Sequence, residues 1–195
     1  MLSILAGFMI AIGAIANLTL GPPLGPFMFT VGLMTILFFN LHLFTGKAGL
    51  LATNEISVLS LIKIWVGNFI GCTFGMVLAA SLPQAEQLLE SARAIVAVRN
   101  TNSMFENFIL GIACGILMYV AVNGYKKTGN TLAFVLPVAV FIFSGYNHCV
   151  ADMFYIIVGG QRLSDFVSLI PTTIGNIVGC CGIPLVLQDY LSSSS

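Results

Sequence analysis

The chain has 195 residues, of which 58% are hydrophobic and only 7% charged, with a formal net charge of zero. That is far too little charge to cover a soluble domain of this length, and the mean hydropathy is positive, so the chain is read as an all-α membrane protein. Zero net charge also argues against nucleic acid as a partner, because a phosphate-binding face needs clustered lysine or arginine.

Six apolar stretches are each long enough to span a bilayer, which takes about 20 residues: near 2–20, 27–43, 61–82, 105–124, 132–158 and 166–188. The first follows Met1 without a basic region or a small-residue cleavage site, so a permanent span is expected there and not a cleaved signal. The second and fifth are interrupted, at "NLHLFTG" and at "SGYNHCVADMF". Segment 83–104, "PQAEQLLESARAIVAVRNTNS" at its core, is polar, and Glu86, Glu90 and Arg93 at helical spacing predict a solvated helix face. With both termini cytoplasmic, Lys47, Lys63, Lys126 and Lys127 fall inside and Arg93, Arg99 and Arg162 outside, which favours that orientation by one charge. Cys72, Cys114, Cys149, Cys180 and Cys181 lie in apolar stretches without CxxC spacing and read as small packing residues.

The polar interruptions recur. Asn68 in "WVGNFIG" and Asn176 in "TIGNIVG" are 108 positions apart, as are Asn40, where the break of the second span begins, and His148 in the break of the fifth. A single transmembrane domain over 1–195 is therefore expected to consist of two three-span halves, 1–82 and 105–188, joined by connector 83–104. An odd number of spans per half inverts the second copy. Inverted repeats with a broken helix in each are a signature of transporters and channels, since non-helical backbone at membrane depth is tolerated only where protein or water satisfies it. Glycines at four-residue spacing, Gly67/Gly71/Gly75, Gly111/Gly115 and Gly175/Gly179, mark close helix packing.

Four motifs in order, "LFTG", "WVGNFIG", "GYNHCVADMFYI" and "TIGNIVG", resemble the formate/nitrite transporter family over nearly the whole chain. The resemblance implies an aquaporin-like, six-span protomer of a homopentamer in the bacterial cytoplasmic membrane, with one pore per protomer, no enzymatic activity and no cofactor; a metal site is disfavoured separately, because two histidines and one aspartate are few ligands and lack ligand-like spacing. It places the central pore histidine at His148 and the threonine of the re-entrant loop at Thr45. It also implies apolar constrictions at Phe29 and Phe141 outside and at Leu33, Leu43 and Met118 inside, and a vestibule cation at Arg99 where relatives carry lysine. This chain departs from the family at His42, Lys47, Asp152 (often asparagine) and Gly115, which replaces an asparagine and is expected to widen the site enough for a larger acid such as acetate or lactate. The family's long cytoplasmic N-terminal segment has no counterpart here, so gating by it is not carried over.

Charged groups at the bilayer centre are disfavoured by roughly 2.5–3.5 kcal/mol, so His148 and Asp152 need a partner or a purpose. Four positions apart, they share a helix face, and Asp152 either orients the His148 ring or serves the helix end. His42 either lines the inner mouth or caps the loop. The substrate expected is a small weak-acid anion, formate first, with nitrite and hydrosulfide as alternatives and a neutral-solute pore as the rival architecture. Arg99 and Lys47, with half-helix N-termini, would draw the anion into the vestibules. Two mechanisms stay open: His148 passes the anion a proton, coupling the two movements, or it stays neutral while the anion crosses on hydrogen bonds from Thr45, Asn68 and Asn176. An intramembrane enzyme using Cys149 or Ser144 is disfavoured, because neighbouring helix residues point about 100° apart.

Overall fold

The structure is a computed structural model that describes residues 1–193, with side chains described as far as Leu187. Its α-helices in chain order are α1 Leu2–Leu20, α2 Leu24–Phe38, α3 Phe44–Ala48, α4 Val58–Ala80, α5 Ala85–Thr101, α6 Met104–Thr128, α7 Leu132–Phe143, α8 Cys149–Gly159 and α9 Leu169–Ser193. Among the described residues, four segments are long and apolar enough to cross a membrane: Leu2–Leu20, Val58–Ala80, Met104–Thr128 and Leu163–Leu187. The second stretch expected from sequence covers most of α2 and the turn after it, stopping at the residue before α3, and the fifth is divided between α7 and α8.

Local chemistry sets the boundaries. Ser57 caps α4 by accepting from the Ser60 N–H at 3.2 Å. Ser103 and Glu106 form a reciprocal capping box at the start of α6, which ends on Gly129 in the left-handed conformation, φ 67°. The two interruptions begin alike. At the end of α2, Asn40 has φ 48°; at the end of α7, Gly145 has φ 70°. Leu41 N–H bonds back to the Ile36 carbonyl and Asn40 N–H to Leu37, and Tyr146 N–H bonds to Phe141 and Gly145 N–H to Ile142. Both ends are Schellman caps, which satisfy the last carbonyls and turn the chain out of the helix.

The packing is also paired. α1 lies on α2 and α4, and α6 lies on α7 and α9, while α3 reaches across to α9 and α8 to α4. The α1–α4 and α6–α9 contacts are backbone on backbone: a Cβ at Gly71 would stand 2.0 Å from the Ile4 carbonyl oxygen, and one at Gly179 would stand 2.2 Å from that of Ile112. Only glycine permits this approach.

The 108-residue offset needs one correction. It holds for the ends of α1 and α6 (Leu20, Thr128) and for Asn68 and Asn176, but α7 has 12 residues where α2 has 15. The interruptions therefore correspond at 105: Phe38 with Phe143, Asn40 with Gly145, Leu43 with His148. Asn40 and His148 are not counterparts.

Segment 83–104 is more than a linker. α5 buries Leu88, Ala92, Val96 and Arg99, spaced four, four and three, and packs on α8. Glu86, Glu90 and Arg93 stay exposed on its other face.

Candidate functional site

Two buried asparagines hold the restarting helices α3 and α8 in place. Asn68 Oδ1 accepts the Phe44 N–H at 2.9 Å, and its Nδ2 donates to the Ser3 and His42 carbonyls at 2.7 and 2.9 Å. Asn176 repeats the scheme, accepting the Cys149 N–H at 2.9 Å and donating to Gly111 and Asn147 at 2.8 and 2.9 Å. The first N–H of a helix has no intrahelical partner, so each asparagine fixes a helix start to the α1–α4 or α6–α9 pair. Both amide N–H groups of each are taken up by backbone. The expectation that Asn68 and Asn176 donate to a passing anion is corrected accordingly: they are clamps.

The clamps aim Thr45 and His148 at each other. Thr45 Oγ1 and His148 Nε2 are 2.9 Å apart, joining α3 to the residue that precedes α8, with 2% and 1% of the two residues exposed. His148 Nδ1 accepts the Ala151 N–H at 3.1 Å, which makes the histidine the side-chain cap of α8. A nitrogen that accepts carries no proton, so the ring's single hydrogen lies on Nε2 and is donated to Thr45. Phe141 stacks on the imidazole, with centroids 5.6 Å apart, and Phe29 meets Phe141 edge-on at 6.0 Å.

Cavities lie on either side of this pair. One, of about 340 Å³, ends on His148 and is walled by Phe29, Phe141, Asn17, Tyr146, Arg99, Asp152 and Tyr155, with Ala94, Ile95 and Val98 of α5. On the other side, a cavity of about 50 Å³ is lined by Leu33, Leu43, Met118, Lys47 and Lys126. Another, of about 110 Å³, shares Met118 and Lys126 and reaches Thr45. All five residues expected to constrict the path are thus cavity-lining and at most 2% exposed: Phe29, Phe141, Leu33, Leu43 and Met118.

Other candidates are placed differently. Asp152 does not bond His148. Its carboxylate faces Arg99, Nε to Oδ1 at 3.3 Å, because α5 lays the guanidinium over α8. Arg99 is consequently paired and buried, and is not a free cation of the vestibule. Lys47 is half-buried, with Nζ 3.5 Å from Asn40 Oδ1. His42 contributes its carbonyl to the Asn68 clamp, and its ring lines none of these cavities. Gly115 opens no extra room: a Cβ there would meet the Asn176 carbonyl oxygen at 2.5 Å, so it faces α9 and the expected widening does not arise. Cys72 and Cys180 point their thiols at carbonyls, Gly7 and Val150 for one and Thr45 and Gly115 for the other.

The sequence reading missed Tyr155, Asn17 and the role of Lys126 in the cavity walls. Tyr155 was within reach of it: His148, Ala151, Asp152 and Tyr155 follow the three- and four-residue spacing of one helix face, and all four line the larger cavity. It also missed a buried polar knot beside the site, where Asn147 Nδ2 donates to Asn107 Oδ1 at 2.8 Å and Thr172 Oγ1 at 3.3 Å, and Asn107 donates to the Arg99 carbonyl.

The arrangement matches known proteins. The family model described as formate/nitrite transporter matches residues 1–189. Formate channel FocA of Haemophilus influenzae is 29% identical over 217 residues, covering 87% of this chain and 74% of that protein. A probable formate transporter of Methanothermobacter thermautotrophicus is 31% identical over 188 residues, covering 78% and 68%. In structure, the chain is similar to a pentameric formate channel with formate bound, with a TM-score of 0.78 and 24% identity over 100% of this chain and 96% of that one. It is also similar to an FNT family ion channel, with a TM-score of 0.81 and 23% identity over 97% and 88%. With a family model matched along almost its entire length and the same fold in both solved structures, this chain belongs to the formate/nitrite transporter family.

Proposed function

We propose that the protein is a membrane pore for small monovalent weak-acid anions, formate foremost, with nitrite and hydrosulfide as the next candidates. The observation that carries this reading is the Thr45–His148 hydrogen bond, a buried polar contact that stands between one cavity walled by Phe29 and Phe141 and others walled by Leu33, Leu43 and Met118. An apolar ring opposes an anion because it offers nothing in exchange for lost hydration. Polar groups between the cavities supply that exchange.

Two inverted three-span halves, each with a broken helix, form the frame in this reading. Support comes from the matched Schellman caps, the matched asparagine clamps, and the crossing of α3 to α9 and α8 to α4. The protomer works as one of five, as the pentameric formate channel does, in the bacterial cytoplasmic membrane with both termini inside. Lys47 and Lys126 gather anions at the inner mouth.

The ring's wiring favours hydrogen bonding over proton donation by His148. Its only N–H is on Nε2, and giving that proton away would leave an imidazolate. His148 and Thr45 therefore act together: when an anion arrives, the Nε2–H or the Thr45 hydroxyl turns to it.

Reconstitution into proteoliposomes tests the function. Formate, nitrite and hydrosulfide are expected to enter far faster than through protein-free vesicles, while a glycerol gradient produces no added swelling. Rapid glycerol swelling with no anion flux would instead make the protein a neutral-solute pore.

A further inference from the structure

The cavity that ends on His148 contains a buried ion pair of overall zero charge. Arg99 and Asp152 retain 10% and 3% side-chain exposure, and Arg99 Nη1 also donates to the Gly145 carbonyl at 3.2 Å. The opposite mouth is built differently, with Lys47 and Lys126 on its smaller cavity and Glu55 on the adjoining one that reaches Thr45, two lysines to one carboxylate. An anion entering past Lys47 meets an excess of positive charge; one entering past Arg99 meets a guanidinium that already has a carboxylate.

If the entering anion takes that guanidinium, Asp152 is left as an unpaired buried carboxylate. That state is strongly disfavoured, since water cannot resolvate the group. The titratable groups facing Asp152 are Arg99 from α5, Cys114 from α6, and His148, Cys149 and Tyr155 from its own helix and the residue that caps it. Thiols and the phenol are neutral near pH 7, and His148 is wired as a neutral ring, so among the described residues no second cation faces Asp152 to replace Arg99. A proton remains.

Resting on the pore reading above, we propose that Asp152 is the proton-accepting group for anions entering from this cavity: the anion displaces the carboxylate from Arg99, and Asp152 takes up one proton as the anion binds. The balance is closed. Before binding, the site holds one guanidinium and one carboxylate; afterwards it holds the guanidinium, the anion and a neutral carboxylic acid. Its net charge is zero in both states, which is the condition a buried site favours. The proton is delivered from the bulk solution as hydronium, whose O–H bond breaks as the carboxyl O–H forms, so water is left and no hydroxide stays in the site; His148 neither gains nor loses a proton.

Infrared difference spectra of the detergent-purified protein test this directly, with sodium formate, sodium nitrite and sodium nitrate added separately at neutral pH. Nitrate is the anion of a strong acid and carries no proton itself. The C=O stretch of a protonated carboxylic acid is expected to appear on anion addition. The anion concentration giving half the signal should rise about tenfold per pH unit, the slope of one linked proton. Asp152→Asn should abolish the band. The double variant Arg99→Gln/Asp152→Asn, in which neither charge is left unpaired, should lack it too and guards against misfolding of the single variant. No band with any of the three anions, a band that survives Asp152→Asn, or a half-signal concentration independent of pH would overturn the proposal. A band with nitrite or nitrate but none with formate would uphold the role of Asp152 and remove formate from the proposed function.

Discussion

Thr45 and His148, 103 positions apart in the chain, meet at 2.9 Å as the buried polar link between α3 and the cap of α8. Two separate helix starts have to be held in register for that contact to exist, and each is held by its own asparagine.

The first expectation concerns the link itself. His148→Asn removes the Nε2–H and the ring that stacks on Phe141. Loss of a hydrogen bond at a buried site corresponds to about 1–3 kcal/mol, so formate flux in proteoliposomes should fall by about tenfold to a hundredfold. Thr45→Val, which keeps the volume, should fall at least part of that way. Flux at the unmodified rate in both variants would take this pair out of the mechanism.

The clamps should matter to folding more than to selectivity. Asn176→Ala leaves the Cys149 N–H and the Gly111 and Asn147 carbonyls without a side-chain partner. A buried group left unsatisfied is destabilising by about 1–3 kcal/mol. Thermal unfolding in detergent should show a lowered midpoint for Asn176→Ala and for Asn68→Ala, with relative rates for formate and nitrite unchanged in whatever protein stays folded.

Glycine substitutions give a sharper contrast. Gly71→Ala or Gly179→Ala must push two backbones apart, since the new methyl would start 2.0 or 2.2 Å from a carbonyl oxygen. Gly182→Ala meets nothing within 4 Å and lies inside α9. The first two should express poorly or unfold well below the unmodified protein, while the third should gain about 0.5–1 kcal/mol from helix propensity. Equal melting temperatures for all three would mean that the α1–α4 and α6–α9 contacts are not the close ones described.

The ion pair predicts a non-additive cycle. Removing one partner of a buried pair is destabilising by about 3–5 kcal/mol, because the other charge stays buried alone. Arg99→Gln and Asp152→Asn should each lower the unfolding midpoint, and the double variant should lie above either one. Additive losses would show the two charges to be independent.

Much of this was legible in the sequence, for identifiable reasons. The long spans show as uninterrupted apolar runs, and Asn68 and Asn176 stand out because a polar residue between glycines in such a run needs a purpose. His148 was identifiable because it is a titratable group in the interruption of an apolar stretch and falls in the motif that carries the family resemblance. The three-residue shortening of α7 was hidden, because the helix-breaking turn uses glycine at one site and asparagine at the other, so the two interruptions do not align by residue type. The partner of Asp152 was hidden as well. Helical spacing offered His148, one turn away, but Arg99 arrives from α5 through packing that no local pattern encodes.

The glycine seams carry a consequence for what the protein can discriminate. Where one main chain rests on another, the α1–α4 and α6–α9 spacing is fixed, so the frame on which Phe29, Phe141, Leu33, Leu43 and Met118 are mounted does not spread for a larger solute. Such a passage sorts by caliper: lengthening a carboxylic acid one carbon at a time should give an abrupt cutoff in permeation and not a gradual decline.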